Sequence, residues 1–180
     1  WIISNELFLI NLTSAEAANE EIAIFPGATG FGTKTVGGSG RHLSPAATNI
    51  YRVTTLADSG EGSLRNCIIA KVPRTCIFEI SGIINLTKKL TISSPYITIA
   101  GQTAPAPGIL ISRGGIEIAT HDVLIQHLQI RVGDSLLGQD LASRDGLTIA
   151  AVKNPAYNIV VDRVSISWAI DENLSTWYPN

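Results

Sequence analysis

Short triplets of apolar residues recur along this chain at matching offsets, and their recurrence restricts the fold more than any other feature. "LTI" at Leu90–Ile92 is followed by "ITI" at Ile97–Ile99, and "IEI" at Ile116–Ile118 by "VLI" at Val123–Ile125 at the same offset. "LTI" at Leu147–Ile149 is followed by "IVV" at Ile159–Val161 after a longer connection. The second and third units continue into "LQI" at Leu128–Ile130 and "VSI" at Val164–Ile166, again at matching offsets. In each triplet the outer residues are apolar, as expected when alternate side chains face one interior. A unit of roughly 25 residues, built of short strands and turns, is the mark of a solenoid. The strands are too short and too closely spaced for helix crossovers. An all-β parallel β-helix meets these constraints. An antiparallel sandwich can share the spacing, but it gives no reason for the units to align.

Helical periodicity is confined to "GSLRNCIIAK", where Ser63 is placed to cap a short helix and Leu64, Cys67 and Ile68 share its inner face. The 180 residues are enough for one domain, and the net charge of −2 gives no reason to expect nucleic acid or a membrane surface as a partner. No apolar run reaches the ~18 residues that span a bilayer. The first 21 residues combine an apolar stretch around Leu7–Leu12 with Ala15-Glu16-Ala17, and read as a leader or signal-peptide remnant ahead of a domain over 22–180. Cys67 and Cys76 lie close enough to pair or to remain two buried thiols. Asn-x-Ser/Thr triplets begin at Asn11, Asn85 and Asn173. The glycine-rich "FPGATGFG" after Ile22–Ile24 resembles a nucleotide-binding turn. The next residues, "TKTVGGSGRHLSP", cannot form the helix whose N-terminus would hold phosphate.

Several stretches together resemble the pectate lyases of polysaccharide lyase family one. They are "FPGATGFGTKTVGGSG", "YRVTTLADSGEGSLRNCI", "RTCIFEISGIINL", "LTISSPYITIAGQTAPAPGILI", "RDGLTIA" and "YNIVVDRVSISWAIDENLSTW", of which "SWxxDEN" is the most specific. The resemblance covers nearly everything after Ile22. It implies a right-handed, single-stranded parallel β-helix with a short N-terminal capping helix, in a secreted and monomeric enzyme. The implied activity is Ca²⁺-dependent cleavage of pectate (polygalacturonate) by β-elimination. A hard cation that accepts six to eight oxygens suits this chemistry, because substrate oxygens can complete its shell.

On this resemblance Asp171 and Glu172 are calcium ligands, joined by Asp145, which opens "DGLTI" on the preceding strand of the same coil. Asp162 in "VVDRVS" takes a supporting role, and Arg131 and Arg144 are placed to bind uronate carboxylates. Two positions depart from the family pattern: Ser143 and Ser175 stand where further acids are expected. The family's catalytic base is an arginine on a later coil, so the solenoid is expected to be incomplete here and inactive by itself. His42, His121 and His127 lack metal-ligand spacing; His127 is expected on a strand, and Trp168 either stacks on a sugar ring or, as a large residue ending an apolar strand, serves in packing. Two alternatives remain: a β-helix that binds acidic polysaccharide without cutting it, and a hydrolytic pectinase on the same architecture.

Overall fold

The computed structural model describes residues 22–152 and 155–178. The proposed leader and the Asn11 triplet lie outside them. After β1 (Asn49–Val53) and a short helix α1 (Leu64–Ile69) the chain winds through four coils of three strands each. The first coil holds β2 (Arg74–Phe78), β3 (Gly82–Asn85) and β4 (Leu90–Ile92); the second holds β5 (Ile97–Ala100), β6 (Ile109–Ser112) and β7 (Ile116–Ile118). The third holds β8 (Val123–Gln126), β9 (Leu128–Arg131) and β10 (Leu147–Ala150); the fourth holds β11 (Ile159–Asp162), β12 (Ser165–Ser167) and β13 (Leu174–Trp177).

Every pairing is parallel, and each strand pairs only with its counterparts one coil away. Three sheets result, ordered β1-β2-β5-β8-β11, β3-β6-β9-β12 and β4-β7-β10-β13. This is a parallel β-helix, and its register is the one the triplets foretell. Leu90 pairs with Ile116, and Ile116 with Leu147. Ile97 pairs with Val123, and Val123 with Ile159. The interior is accordingly a set of stacked aliphatic rows, with Leu90, Ile97, Ile99, Ile118, Val123, Ile125 and Leu147 all fully buried. Each such side chain contributes ~1.5–3 kcal/mol by leaving water.

The corners are tight. A single residue in the left-handed region turns β8 into β9 (His127, φ 53°), and Arg163 (φ 52°) makes the same turn one coil later. His127 is therefore at a corner rather than on a strand, and it is exposed. Asp162, at the end of β11, belongs to the same corner. It accepts from Gln126 Nε2 at 2.9 Å, and Gln126 accepts from Gln102 at 3.1 Å, so an amide ladder runs up this edge. Asp162 also accepts from Arg163 Nη1 at 3.0 Å, and it is not part of the cluster of Asp145, Asp171 and Glu172.

Helix α1 closes the first coils. Ser63 Oγ accepts from Asn66 N at 3.2 Å, the N-cap expected from the sequence. Its buried face is pinned by a Cys67–Cys76 disulfide to β2. The buried Arg74 donates to the carbonyls of Cys67 and Ile68 at the helix C-terminus. Closing so short a loop restricts the unfolded chain by roughly 2–3 kcal/mol. Cys76→Ser is expected to lower the stability by that amount, measured by denaturant unfolding against the oxidised protein.

Asp58 joins the turn before α1 to the one before β4. It accepts from Arg65 Nη2 at 2.6 Å and Thr87 N at 3.1 Å. Burial raises its pKa, but the hydrogen bonds from Thr87 and Arg65 together outweigh it, and the net shift is downward from 3.8. A depressed carboxylate stabilises the fold above its unfolded pKa, and this contribution is lost as the pH falls through the folded value. Asp58→Asn is therefore expected to lower the unfolding midpoint at neutral pH and to narrow its difference from the parent protein in strong acid.

Candidate metal centre and cleft

Asp145, Asp171 and Glu172 meet at the start of two neighbouring strands. Asp145 lies two residues before Leu147 of β10 and Glu172 two residues before Leu174 of β13, and those leucines are register partners. The acids thus sit at one height of one sheet in successive coils; Asp145 is one coil earlier, not on a preceding strand of the same coil. One carboxylate oxygen from each of the three lies within 4.8 Å of the others. Asp171 and Glu172 occupy a turn, so the alternation that makes strand neighbours point apart does not apply to them.

Backbone bonds hold that turn against the previous coil. Gly146 N donates to Glu172 O at 2.9 Å, Leu147 N to Asn173 O at 3.0 Å, and Ile170 N to Arg144 O at 3.2 Å. Asn173 Oδ1 accepts from Ala169 N at 3.3 Å and closes the turn on itself. The coils approach so closely here that a Cβ at Gly115 would run into the carbonyl oxygens of Asp145 and Gly146. Glycine is required there by space.

Asp145 is oriented from two sides. Its Oδ2 accepts from Thr148 Oγ1 at 2.9 Å and its Oδ1 from Glu172 N at 3.4 Å. Thr148 in turn accepts from Ser175 Oγ at 3.2 Å. Ser175, where a further acid was expected, therefore serves the chain of hydroxyls that fixes Asp145. Glu172 is different: its Oε2 is enclosed and has no hydrogen-bond partner among the described residues. Its pKa is raised, first by desolvation and then by the charges of Asp171 and Asp145. A carboxylate group packed this way lacks a counter-charge.

Asp145 lines a groove of about 290 Å³ on the outer face of the sheet β4-β7-β10-β13, and Asp171 and Glu172 meet Asp145 at its edge. Lys89, Glu117, Thr148 and Trp177 line it together with Asp145, and Lys89 is ion-paired with Glu117. Sequence reasoning did not find Lys89, Glu117 or Trp177. The signal available was the outward position of each triplet, since Glu117 and Thr148 are register partners.

Arg144 requires a correction. It is 1% exposed, and its guanidinium donates inward to the carbonyls of Gly133, Ser135, Leu137 and Gln139. All its donors are engaged by the connection between β9 and β10, so it organises the wall of the groove and does not face a ligand. Arg131 lies on another sheet, where it donates to Ser165 O and Ser165 Oγ, both at 2.7 Å. It does not adjoin the acids. Trp168 is not packed either; it is 71% exposed.

No protein-family model matches the chain. It is 39% identical over 152 residues to the probable pectate lyase C of Emericella nidulans, an alignment covering 84% of this chain and 32% of that protein. The chain is homologous to proteins named probable pectate lyase C. A probable pectate lyase C of Aspergillus flavus is 35% identical over 94% of this chain and 35% of its own length. One from Aspergillus fumigatus is 33% identical over 95% and 37%. The chain thus spans about a third of the length of the pectate lyases it matches. In fold it is similar to jun a 1, the major allergen from cedar pollen, at a TM-score of 0.65 and 24% identity over 83% of this chain and 44% of that one.

Proposed function

We propose that the protein cleaves pectate by Ca²⁺-dependent β-elimination, with Asp145, Asp171 and Glu172 as the protein's metal ligands. The single observation that carries this reading is the convergence of the three carboxylates within 4.8 Å at the edge of a groove. The donor set fits the ion. It is all oxygen, it is anionic, and it includes an enclosed carboxylate oxygen with no hydrogen-bond partner. When bound, Ca²⁺ supplies charge neutralisation of a uronate carboxylate, which makes the adjacent C–H proton easier to remove.

The chain's own residues do the positioning. Thr148 and the amide of Glu172 hold Asp145, and the register between β10 and β13 holds Glu172 against it. Three carboxylates leave part of a calcium shell to water and to the sugar. Ser143 and Ser175, in place of acids, keep that share large. Trp177, half exposed in the groove, offers an apolar face to a sugar ring. Arg144 is committed to the groove wall, and neither it nor Arg131 is assigned as the base. The Cys67–Cys76 disulfide favours an oxidising, secretory environment. Among the described residues no helix is long and apolar enough to cross a membrane.

The deciding experiment incubates the full-length protein with polygalacturonate and follows the ultraviolet absorbance of unsaturated ends, with calcium and with a chelator. Absorbance that rises only with calcium supports the proposal. Reducing ends without absorbance would mean hydrolysis, and binding without either product would mean a non-catalytic polysaccharide-binding protein. A second measurement bears on the ion alone: Glu172→Gln is expected to raise the unfolding temperature in chelator and to shrink the further rise caused by calcium. Removing one of three crowded charges relieves the metal-free fold and weakens the ligand set together.

A further inference from the structure

A second groove, of about 440 Å³, lies on the outer face of the sheet β3-β6-β9-β12, on the other side of the connection between β9 and β10. Its floor is apolar where Ile83 and Leu110 project from neighbouring strands, and Ile83 is 52% exposed. Its rim carries Trp168, Arg113 and Arg131, with Asp134 as the acid among its lining residues. Ser112, Arg131 and Ser167 are register partners, so the next residues along each strand, Arg113, Val132 and Trp168, stand at one height in three successive coils. Val132 turns inward and is fully buried. Arg113 (φ 66°) and Trp168 (φ 62°) both adopt the left-handed backbone and line the groove. For residues other than glycine this conformation costs ~1–2 kcal/mol. Two coil rises separate their backbones by roughly 10 Å.

Of these side chains Arg113 is not used by the fold and Arg131 is used only in part. The Arg113 guanidinium makes no hydrogen bond or ion pair with the described residues. Arg131 donates from Nη1 to Ile130 O and Ser165 O and from Nη2 to Ser165 Oγ, which fixes its plane and leaves Nε and the second Nη2 hydrogen for a ligand. An exposed indole binds the apolar face of a pyranose. Two guanidinium forks bind carboxylates. We propose that this groove is a second, metal-independent binding site for acidic sugars, spanning a short uronate oligosaccharide between Trp168 and Arg113. The choice of galacturonate as the natural ligand rests on the function proposed above; the affinity for anionic sugar rests on this groove alone.

The test titrates trigalacturonate into the full-length protein in chelator, by calorimetry and tryptophan fluorescence. Trp168→Asn and Arg113→Asn remove the ring and the charge while keeping a side chain that accepts a left-handed backbone. Each is expected to weaken binding at least tenfold without lowering the unfolding temperature. The fluorescence change should vanish in Trp168→Asn and persist in Trp177→Phe. Neutral galactotriose should bind at least tenfold more weakly than the acidic trimer. Undiminished affinity in both variants, equal binding of the neutral trimer, no binding in chelator, or loss only in Trp177→Phe would each overturn the proposal. Binding in chelator by a protein that never releases unsaturated ends would leave this site standing and remove the lyase reading.

Discussion

Asp171→Asn is expected to reduce calcium-dependent lyase turnover of the full-length protein by roughly two to three orders of magnitude. The structural reason is the size of the set. Three carboxylates converge, two of them from one exposed turn, and amide substitution leaves two charges where three faced the ion. Asp171 is exposed, and the backbone bonds that hold its turn come from Ile170, Glu172 and Asn173. The fold is therefore expected to survive the change, and the circular dichroism and chelator unfolding temperature to stay close to those of the parent. The loss should be partly recovered at higher calcium, because a weakened site can be refilled by mass action. A variant that turns over at the parent rate at low calcium would remove Asp171 from the ligand set.

Arg144→Leu is expected to be one of the two most damaging single changes to stability outside the aliphatic rows, beside loss of the equally buried Arg74. The substitution leaves the carbonyls of Gly133, Ser135, Leu137 and Gln139 without the group that satisfies them. Unmet buried acceptors cost ~1–3 kcal/mol each, and removal of a buried charge that is fully hydrogen-bonded costs ~3–5 kcal/mol in all when the connection can partly relax into water. Both grooves should suffer, since residues 133–135 line one and Gln139 and Ser143 the other. Arg144→Lys is expected to rescue little. A single ammonium with three donors cannot reach carbonyls spread around a planar fork. Denaturant unfolding measures the global cost. Hydrogen exchange over 133–143 separates local opening of the connection from loss of the whole fold.

The coil repeat was legible because a β-helix leaves a record in sequence: inward positions must be apolar in every coil, so aligned triplets mark aligned strands. The Ser63 cap was legible for a similar reason, being a local bond between near neighbours. The acids were legible through their resemblance to a known motif. Their placement was less so, because the motif does not say that Asp145 and Glu172 share a register one coil apart. Arg144 was misjudged for a physical reason. An arginine beside an acid in sequence suggests a surface pair or a ligand fork, whereas its role depends on carbonyls five to eleven residues earlier, brought over it by a connection with no periodic pattern. The packing role of Trp168 and the strand placement of His127 failed because left-handed corners reverse the direction a side chain takes, and nothing in their residue types announces that conformation.

By itself the sequence determined the class of fold, the spacing of its coils and the inward rows, since these arise from hydrophobic periodicity acting through nearest-neighbour stacking. Tertiary structure alone decided which acids share a site, which arginine is buried and which is free, and that two grooves flank one connection. Those facts depend on corner geometry and on contacts between residues remote along the chain, which burial and register settle only when the coils have closed on one another.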